Sequence, residues 1–132
     1  MISVRLLFVS LVASGAMLTG CEREVSYTEE VQPILFASCL SCHDTDSEGY
    51  LNSGFSLDSY DAVMKGTKFG AVVVAGSPES SSLYLVVAHK TAPEIHMPPH
   101  TDDALAEGRG ISLTEEQIES VRLWIEQGAI NN

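Results

Sequence analysis

The chain has 132 residues, with 18 acidic and 7 basic side chains and a formal net charge of −11 at neutral pH. This length fits one small domain, and the acidic balance argues against a nucleic-acid partner and against direct adsorption to anionic lipid. It suits a soluble, self-repelling surface or docking to a basic patch on a partner protein.

The N-terminal residues have the pattern of an export signal. A short basic start ends at Arg5, and an apolar stretch follows over residues 6–18. This stretch is shorter than the roughly 20 residues that a transmembrane helix needs, and it fits the hydrophobic region of a secretory signal. It ends in Leu18-Thr19-Gly20-Cys21, which resembles the lipobox of bacterial lipoproteins.

The lipobox predicts how the chain is divided. In such proteins the cysteine is acylated and becomes the mature N-terminus, and its acyl chains hold the protein at the membrane. The alternatives are a plain signal peptide with a leftover thiol at Cys21 and an uncleaved anchor. The predicted parts are a lipoprotein signal peptide over 1–20, a short tether over 21–26 and one domain over 27–132.

The first predicted helix begins near Ser26 or Thr28. Ser26 and Glu29 have the spacing of a capping box. Val31 and Leu35 lie at helical spacing on one apolar face, and this face continues to the cysteines that follow.

The run Cys39-Leu40-Ser41-Cys42-His43 reads C-x-x-C-H, the pattern that attaches a c-type haem. The two thiols would bind the porphyrin as thioethers, and the imidazole would take one axial position on the iron. With Cys21 assigned to lipid, each of the 3 cysteines has a role and none is left for a disulfide. The motif therefore predicts one covalent haem c on Cys39 and Cys42, with His43 as an iron ligand.

The middle of the chain predicts short helices separated by loops, because Gly, Pro and Asp recur between short apolar runs. Ser59 or Asp58 can cap one helix and Gly66 can end it. The predicted segments are a polar loop over 43–54, a helix over 60–65, an extended or irregular run over 69–74, a helix after residue 78 and a loop over 95–101.

The last predicted helix has the clearest boundaries. Thr114 and Gln117 form a capping box, and Gly128 ends the helix. Its apolar face is formed by Ile118, Val121, Trp124 and Ile125.

A second axial ligand must come from another methionine or histidine. Met97 is favoured because the two prolines after it hold its thioether on a stiff loop, and a thioether opposite an imidazole raises the reduction potential and leaves no open site on the iron. His96 and His100 are the alternatives, followed by an open iron. Met64 is expected to pack in the core, and His89 completes the candidates.

A zinc site is the rival metal interpretation. Cys39, Cys42, His96 and His100 supply two thiolates and two imidazoles. The gap between the pairs is far longer than usual, the prolines between the histidines prevent the helix that normally presents them, and His43 would have no role. A thioredoxin-like dithiol is also disfavoured, because no strand precedes the two cysteines.

Several runs along the chain form one pattern. They are Val31-Gln32-Pro33-Ile34-Leu35, the C-x-x-C-H run, Gly54-Phe55-Ser56-Leu57-Asp58, Gly76-Ser77-Pro78-x-Ser80, Met97-Pro98-Pro99, Leu113-Thr114-x-Glu116-Gln117 and Trp124-Ile125-x-x-Gly128-Ala129. Together they resemble the single-haem cytochromes c, and more narrowly the planctomycete-type cytochrome c domain. The resemblance implies an all-α fold of cytochrome c-like helices wrapped around one covalently attached haem, with long irregular loops. It also implies attachment at Cys39 and Cys42, His43 as the proximal ligand and Met97 as the distal ligand.

We therefore expect an electron carrier rather than an enzyme, exported and lipid-anchored to a bacterial membrane facing the periplasm or the cell exterior. Its expected partners are redox proteins, one of which could present a basic docking patch, and no nucleic acid. The alternatives are a peroxidase-like haem enzyme, which needs an iron site that can open, and a haem-based gas-binding or sensor module.

Overall fold

The computed structural model describes residues 23–99, 102–107 and 111–132. These residues form helices joined by irregular loops, and the β pairing among them is one isolated bridge between Thr67 and Gly70. The all-α prediction is therefore confirmed. The predicted signal peptide, Cys21 and His100 lie outside the described residues.

None of the helices in the described ranges combines the length and the apolar character needed to cross a membrane. In chain order, the helical elements are a π-helical segment at Tyr27–Val31, α1 at Gln32–Ser38, α2 at Leu40–His43, α3 at Glu48–Ser53, α4 at Tyr60–Lys65, a 3₁₀ turn at Pro78–Ser80, α5 at Ser82–Val87, a 3₁₀ turn at Pro93–Ile95, α6 at Asp102–Ala106 and α7 at Glu115–Glu126.

The first helical segment begins where the sequence predicts. The Ser26 hydroxyl accepts a hydrogen bond from the Glu29 backbone N–H at 3.2 Å, which satisfies one of the free donors at a helix start. The π-helical segment continues directly into α1. Tyr27, Val31 and Leu35 are each at most 1% exposed, so the predicted apolar face is a buried face.

The last helix, α7, has the predicted capping box. Gln117 N–H donates to the Thr114 hydroxyl at 3.2 Å, and Thr114 N–H donates to the Gln117 side-chain oxygen at 2.9 Å. Val121, Trp124 and Ile125 are fully buried, so the apolar face of α7 forms one side of the core.

The core joins the two ends of the domain through aromatic contacts. The Tyr27 ring lies 5.2 Å from the Trp124 ring and 5.1 Å from the Tyr60 ring, measured between centroids. The Tyr60 hydroxyl donates to the Ala129 carbonyl at 2.7 Å, and the Trp124 indole N–H donates to the Ile130 carbonyl at 2.9 Å. The polar atoms of both donor side chains are therefore satisfied inside an apolar contact.

The packed domain includes the last residues of the predicted tether. Val25 is 1% exposed, and its N–H donates to the Gln127 side-chain oxygen at 2.9 Å. Tyr27 N–H donates to the Asn132 side-chain oxygen at 2.8 Å. The sequence of residues 22–26 did not predict these contacts, because the partner residues lie about 100 positions further along the chain.

The predicted loop over 43–54 is wrong in part, because it contains α3. Ser47 adopts an extended conformation before the helix, and its carbonyl accepts the N–H of Leu51 at 2.9 Å. Gly54, with φ of +73°, ends the helix in the left-handed region that glycine tolerates. Glu48 and Gly49 of this stretch thus begin a short helix that Gly54 ends. By contrast, the helix predicted over 60–65 is confirmed, with Ser59 as its cap.

Replacement of Thr114 by alanine removes the acceptor for Gln117 N–H at the start of α7. We expect the free energy of unfolding to fall by about 1 kcal/mol, the usual loss for a threonine N-cap. Chemical denaturation measures this change. Thr45→Ala, at an exposed turn position, is the matched control and should change stability by less than about 0.5 kcal/mol. Equal losses in the two variants would contradict the capping role.

Candidate functional site

A cavity of about 440 Å³ lies between the first half of the domain and the segment after α5. Its size is that of a small-molecule or cofactor site. Cys39, Cys42, His43 and Met97 all line it, so the structure brings together four of the side chains singled out in the sequence. The rest of its wall is mainly apolar and includes Leu35, Phe55, Leu57, Phe69, Val72, Leu83, Val86, Val87, Ile95, Pro98 and Pro99.

The two thiols are positioned by the end of α1 and by α2. Cys39 N–H donates to the carbonyl of buried Leu35 at 2.9 Å, and His43 N–H donates to the Cys39 carbonyl at 3.1 Å. Cys39 and Cys42 are three residues apart on this helical turn, and side chains at that spacing share a face. The packing of α1 against the core therefore aims both sulfurs at the cavity.

Burial controls the protonation of the first thiol. It raises the pKa of Cys39 to about 11, and the neighbouring Cys42 thiol adds to the effect. No disulfide joins the two cysteines. Cys39 is therefore a protonated thiol at neutral pH and a weak nucleophile in this form.

His43 is held in one ring orientation. Its Nδ1 lies 3.3 Å from the Phe55 carbonyl oxygen, and because a carbonyl can only accept, Nδ1 carries the proton. The lone pair of a neutral ring is then on Nε2, as in histidines that bind a metal. Burial lowers the pKa of His43 while the bond to Phe55 opposes this shift, so the ring is neutral at pH 7. The Phe55 ring packs edge-on against the imidazole at 5.4 Å.

Gly49 and Ser47 support the motif from α3 and its cap, and sequence reasoning missed both. The Ser47 hydroxyl donates to the Cys42 carbonyl. A Cβ on Gly49 would overlap the same carbonyl oxygen and would lie 3.1 Å from His43 Cε1. Glycine is needed here for close approach, and the signal in the sequence was a glycine only a few residues after the motif.

Met97 reaches the cavity on an ordered loop. Its N–H donates to the Val86 carbonyl at 3.2 Å, and Val86 also lines the cavity. Pro98 is buried, and the Met97–Pro98 peptide bond is cis. The stiff loop predicted from the two prolines therefore places its methionine in the wall that also holds the thiols.

The other described ligand candidates lie outside the cavity wall. His96 donates from Nε2 to the Thr91 carbonyl at 3.0 Å and stacks on His89, with ring centroids 4.3 Å apart. Met64 packs against the core cluster, as predicted. In the described part of the chain, no group of three or more His, Cys, Asp or Glu side chains is arranged to hold a metal ion.

The residues of the cavity fit a haem. Its wall is apolar, as a porphyrin face requires, and two sulfurs three residues apart lie beside an imidazole whose Nε2 is available. A thioether is present in the same wall. These are the donor types that hold a c-type haem, and here one continuous cavity contains all of them.

Comparisons with known proteins agree with this fit. The family model described as Planctomycete cytochrome C matches residues 39–102, from the first thiol of the motif to beyond Met97. No significant match was found among curated proteins or among solved structures. This match supports a planctomycete-type cytochrome c domain over residues 39–102.

Proposed function

We propose that this protein is an electron carrier with one haem c, exported and held at a bacterial membrane by a lipid on Cys21. The observation that carries the proposal is that Cys39, Cys42, His43 and Met97 line one apolar cavity. Bound haem supplies an iron that alternates between Fe(III) and Fe(II) and so carries one electron.

The chain's own residues have separate roles in this proposal. Cys39 and Cys42 would hold the cofactor through thioether bonds, so it would not dissociate between redox partners. His43 would bind the iron through Nε2, because the bond from Nδ1 to Phe55 fixes its tautomer. Met97 would supply a second iron ligand, a thioether, which favours a high reduction potential. With two protein ligands on the metal, the site would suit electron transfer rather than substrate binding.

The wall of the cavity supports a carrier in a second way. Apart from His43 it consists of apolar side chains, the two thiols and hydroxyl groups such as those of Ser53 and Thr67. Such a wall excludes water and holds the cofactor in a medium of low dielectric constant. Proton transfer to a bound substrate, as in a peroxidase, would need acid–base groups beside the metal.

The proposed location rests on the N-terminal signal and lipobox, and the proposed partners rest on the net charge. The export signal and the lipobox favour a lipid anchor, and a tether of a few residues would keep the domain near the membrane surface. With a net charge of −11, the surface suits a redox partner that presents a basic patch.

Replacement of Cys42 by alanine tests covalent attachment. After expression in a host that matures c-type cytochromes, the wild-type band should retain haem through a denaturing gel. The variant should lose most or all of the haem stain, because one thioether is missing. Ser41→Ala, at the exposed neighbouring position, is the control and should stain like the wild type. Equal staining of the Cys42 variant would rule out the thioether at this residue.

Replacement of Met97 by alanine tests the second ligand. We expect loss of the near-infrared sulfur-to-iron band and a fall in potential by a sizeable part of the roughly 0.8 V that axial ligands span. Met64→Ala is the control, since Met64 is also half-buried but packs in the core. A Met97 variant with an unchanged band would assign the ligand elsewhere, and His96→Ala would then be the next variant to measure.

Replacement of Gly49 by alanine tests the support of the motif by α3. Alanine in place of glycine within a helix ordinarily stabilises by up to about 1 kcal/mol. Here the added Cβ meets the Cys42 carbonyl, so we expect lower stability and less haem per chain. Glu48→Ala places alanine at an exposed position of the same helix and should have little effect. A Gly49 variant that is more stable and fully loaded would show that the contact is unimportant.

A further inference from the structure

The proposed cofactor brings two propionate carboxylates to a chain that is already strongly acidic. With a net charge of −11, the domain would repel additional negative charge unless a cation lies near it. A positive side chain at the rim of the cavity would therefore stabilise the bound cofactor.

Most cationic side chains in the described ranges already have partners. Arg23, Lys90 and Arg122 form ion pairs with glutamates. For Lys65 and Lys68, no carboxylate of the described residues lies within ion-pair distance. These two lysines are three residues apart and differ in their relation to the cavity.

Lys68 lies in a turn whose neighbours line the cavity. Thr67 and Phe69, on either side of it, are both part of the cavity wall. The Lys68 Nζ stands 5.2 Å from the centroid of the Phe69 ring, in a cation–π contact. Phe69 is 82% exposed, so this ring lies at the rim, where an ionised carboxylate can remain in water.

The turn at residues 67–70 is fixed in place. Thr67 and Gly70 bond each other's backbone at 2.9 and 3.1 Å. Lys68 N–H donates to the Ser53 carbonyl at 2.9 Å, and a Cβ on Gly54 would lie 3.2 Å from that same Lys68 nitrogen. The close approach that Gly54 permits therefore attaches the turn to the end of α3.

The two hydroxyl groups beside this turn already donate hydrogen bonds within the protein. The Ser53 hydroxyl donates to the Gly49 carbonyl at 2.5 Å, and the Thr67 hydroxyl donates to the Gly70 carbonyl at 3.1 Å. Because a hydroxyl has one proton to donate, neither is a free donor for a carboxylate. The Lys68 ammonium has three donors and no carboxylate partner among the residues that the structure describes.

We propose that Lys68 binds a haem propionate and so positions that edge of the cofactor against the 67–70 turn. This assignment rests on the proposed function, since it requires haem in the cavity. The ammonium offsets part of the negative charge that the cofactor adds, and it favours the reduced iron, whose positive charge is one unit lower.

The first test is chemical coupling in the purified holoprotein. A water-soluble carbodiimide adds to a propionate carboxyl, and the Lys68 amine then displaces the resulting urea, so that an amide forms and the joined peptide is lighter by one water. After proteolysis, mass spectrometry should find the Lys68 peptide joined to the porphyrin that Cys39 and Cys42 carry. Coupling of Lys68 only to aspartate or glutamate, or of Lys65 instead to the porphyrin, would overturn the assignment.

The second test is the reduction potential of matched variants. Lys68→Gln should lower the potential, Lys68→Arg should keep it near the wild-type value, and Lys65→Gln should leave it unchanged. The difference should shrink at high salt, because the ammonium is exposed. Equal potentials in the Lys68→Gln and Lys65→Gln variants would overturn the assignment. A colourless wild-type protein would instead refute the proposed haem, so the two failures are distinguishable.

Discussion

The contact between the first helical segment and α7 is the constraint on which the site depends. Tyr27 and Val31 bury one face of that segment, and the Tyr27 ring packs against Trp124 of α7. The segment continues into α1, where buried Leu35 accepts the N–H of Cys39, so this packing helps to position the motif. A change deep in the core, far from any ligand, would therefore act on the cofactor through the position of a single backbone turn.

Around the motif, hydrogen bonds to backbone carbonyls hold the site residues in position. The Phe55 carbonyl selects the protonated nitrogen of His43, the Cys42 carbonyl is held by Ser47, and the Val86 carbonyl holds the backbone of Met97. Each of these contacts restricts a side chain that the proposed function uses. The cavity is thus preorganised by main-chain groups, while its apolar side chains keep water away and leave the donor atoms as its main polar features.

Much of the fold could be predicted because its signals are local. The capping box at Thr114, the helix over 60–65 and the buried face of α1 all depend on residues three or four apart. The motif itself predicted which residues meet at the cavity. The helix α3 was missed because Asp44 and Asp46 just before it, and Gly49 within it, favour a loop in isolation. The roles of Gly49, Ser47 and Phe55 depend on where other segments of the chain pass, which no spacing rule gives.

The pairing of residues 25–35 with residues 121–129 also bears on how the holoprotein is assembled. In an exported chain the N-terminal part arrives first, and domains fold only when their partner segments are present. Short helices are marginal in water without a surface to pack on, so the segment before the thiols would stay open until α7 has crossed the membrane. Under the proposed export and haem attachment, Cys39 and Cys42 would be accessible for attachment during that interval, before the core closes.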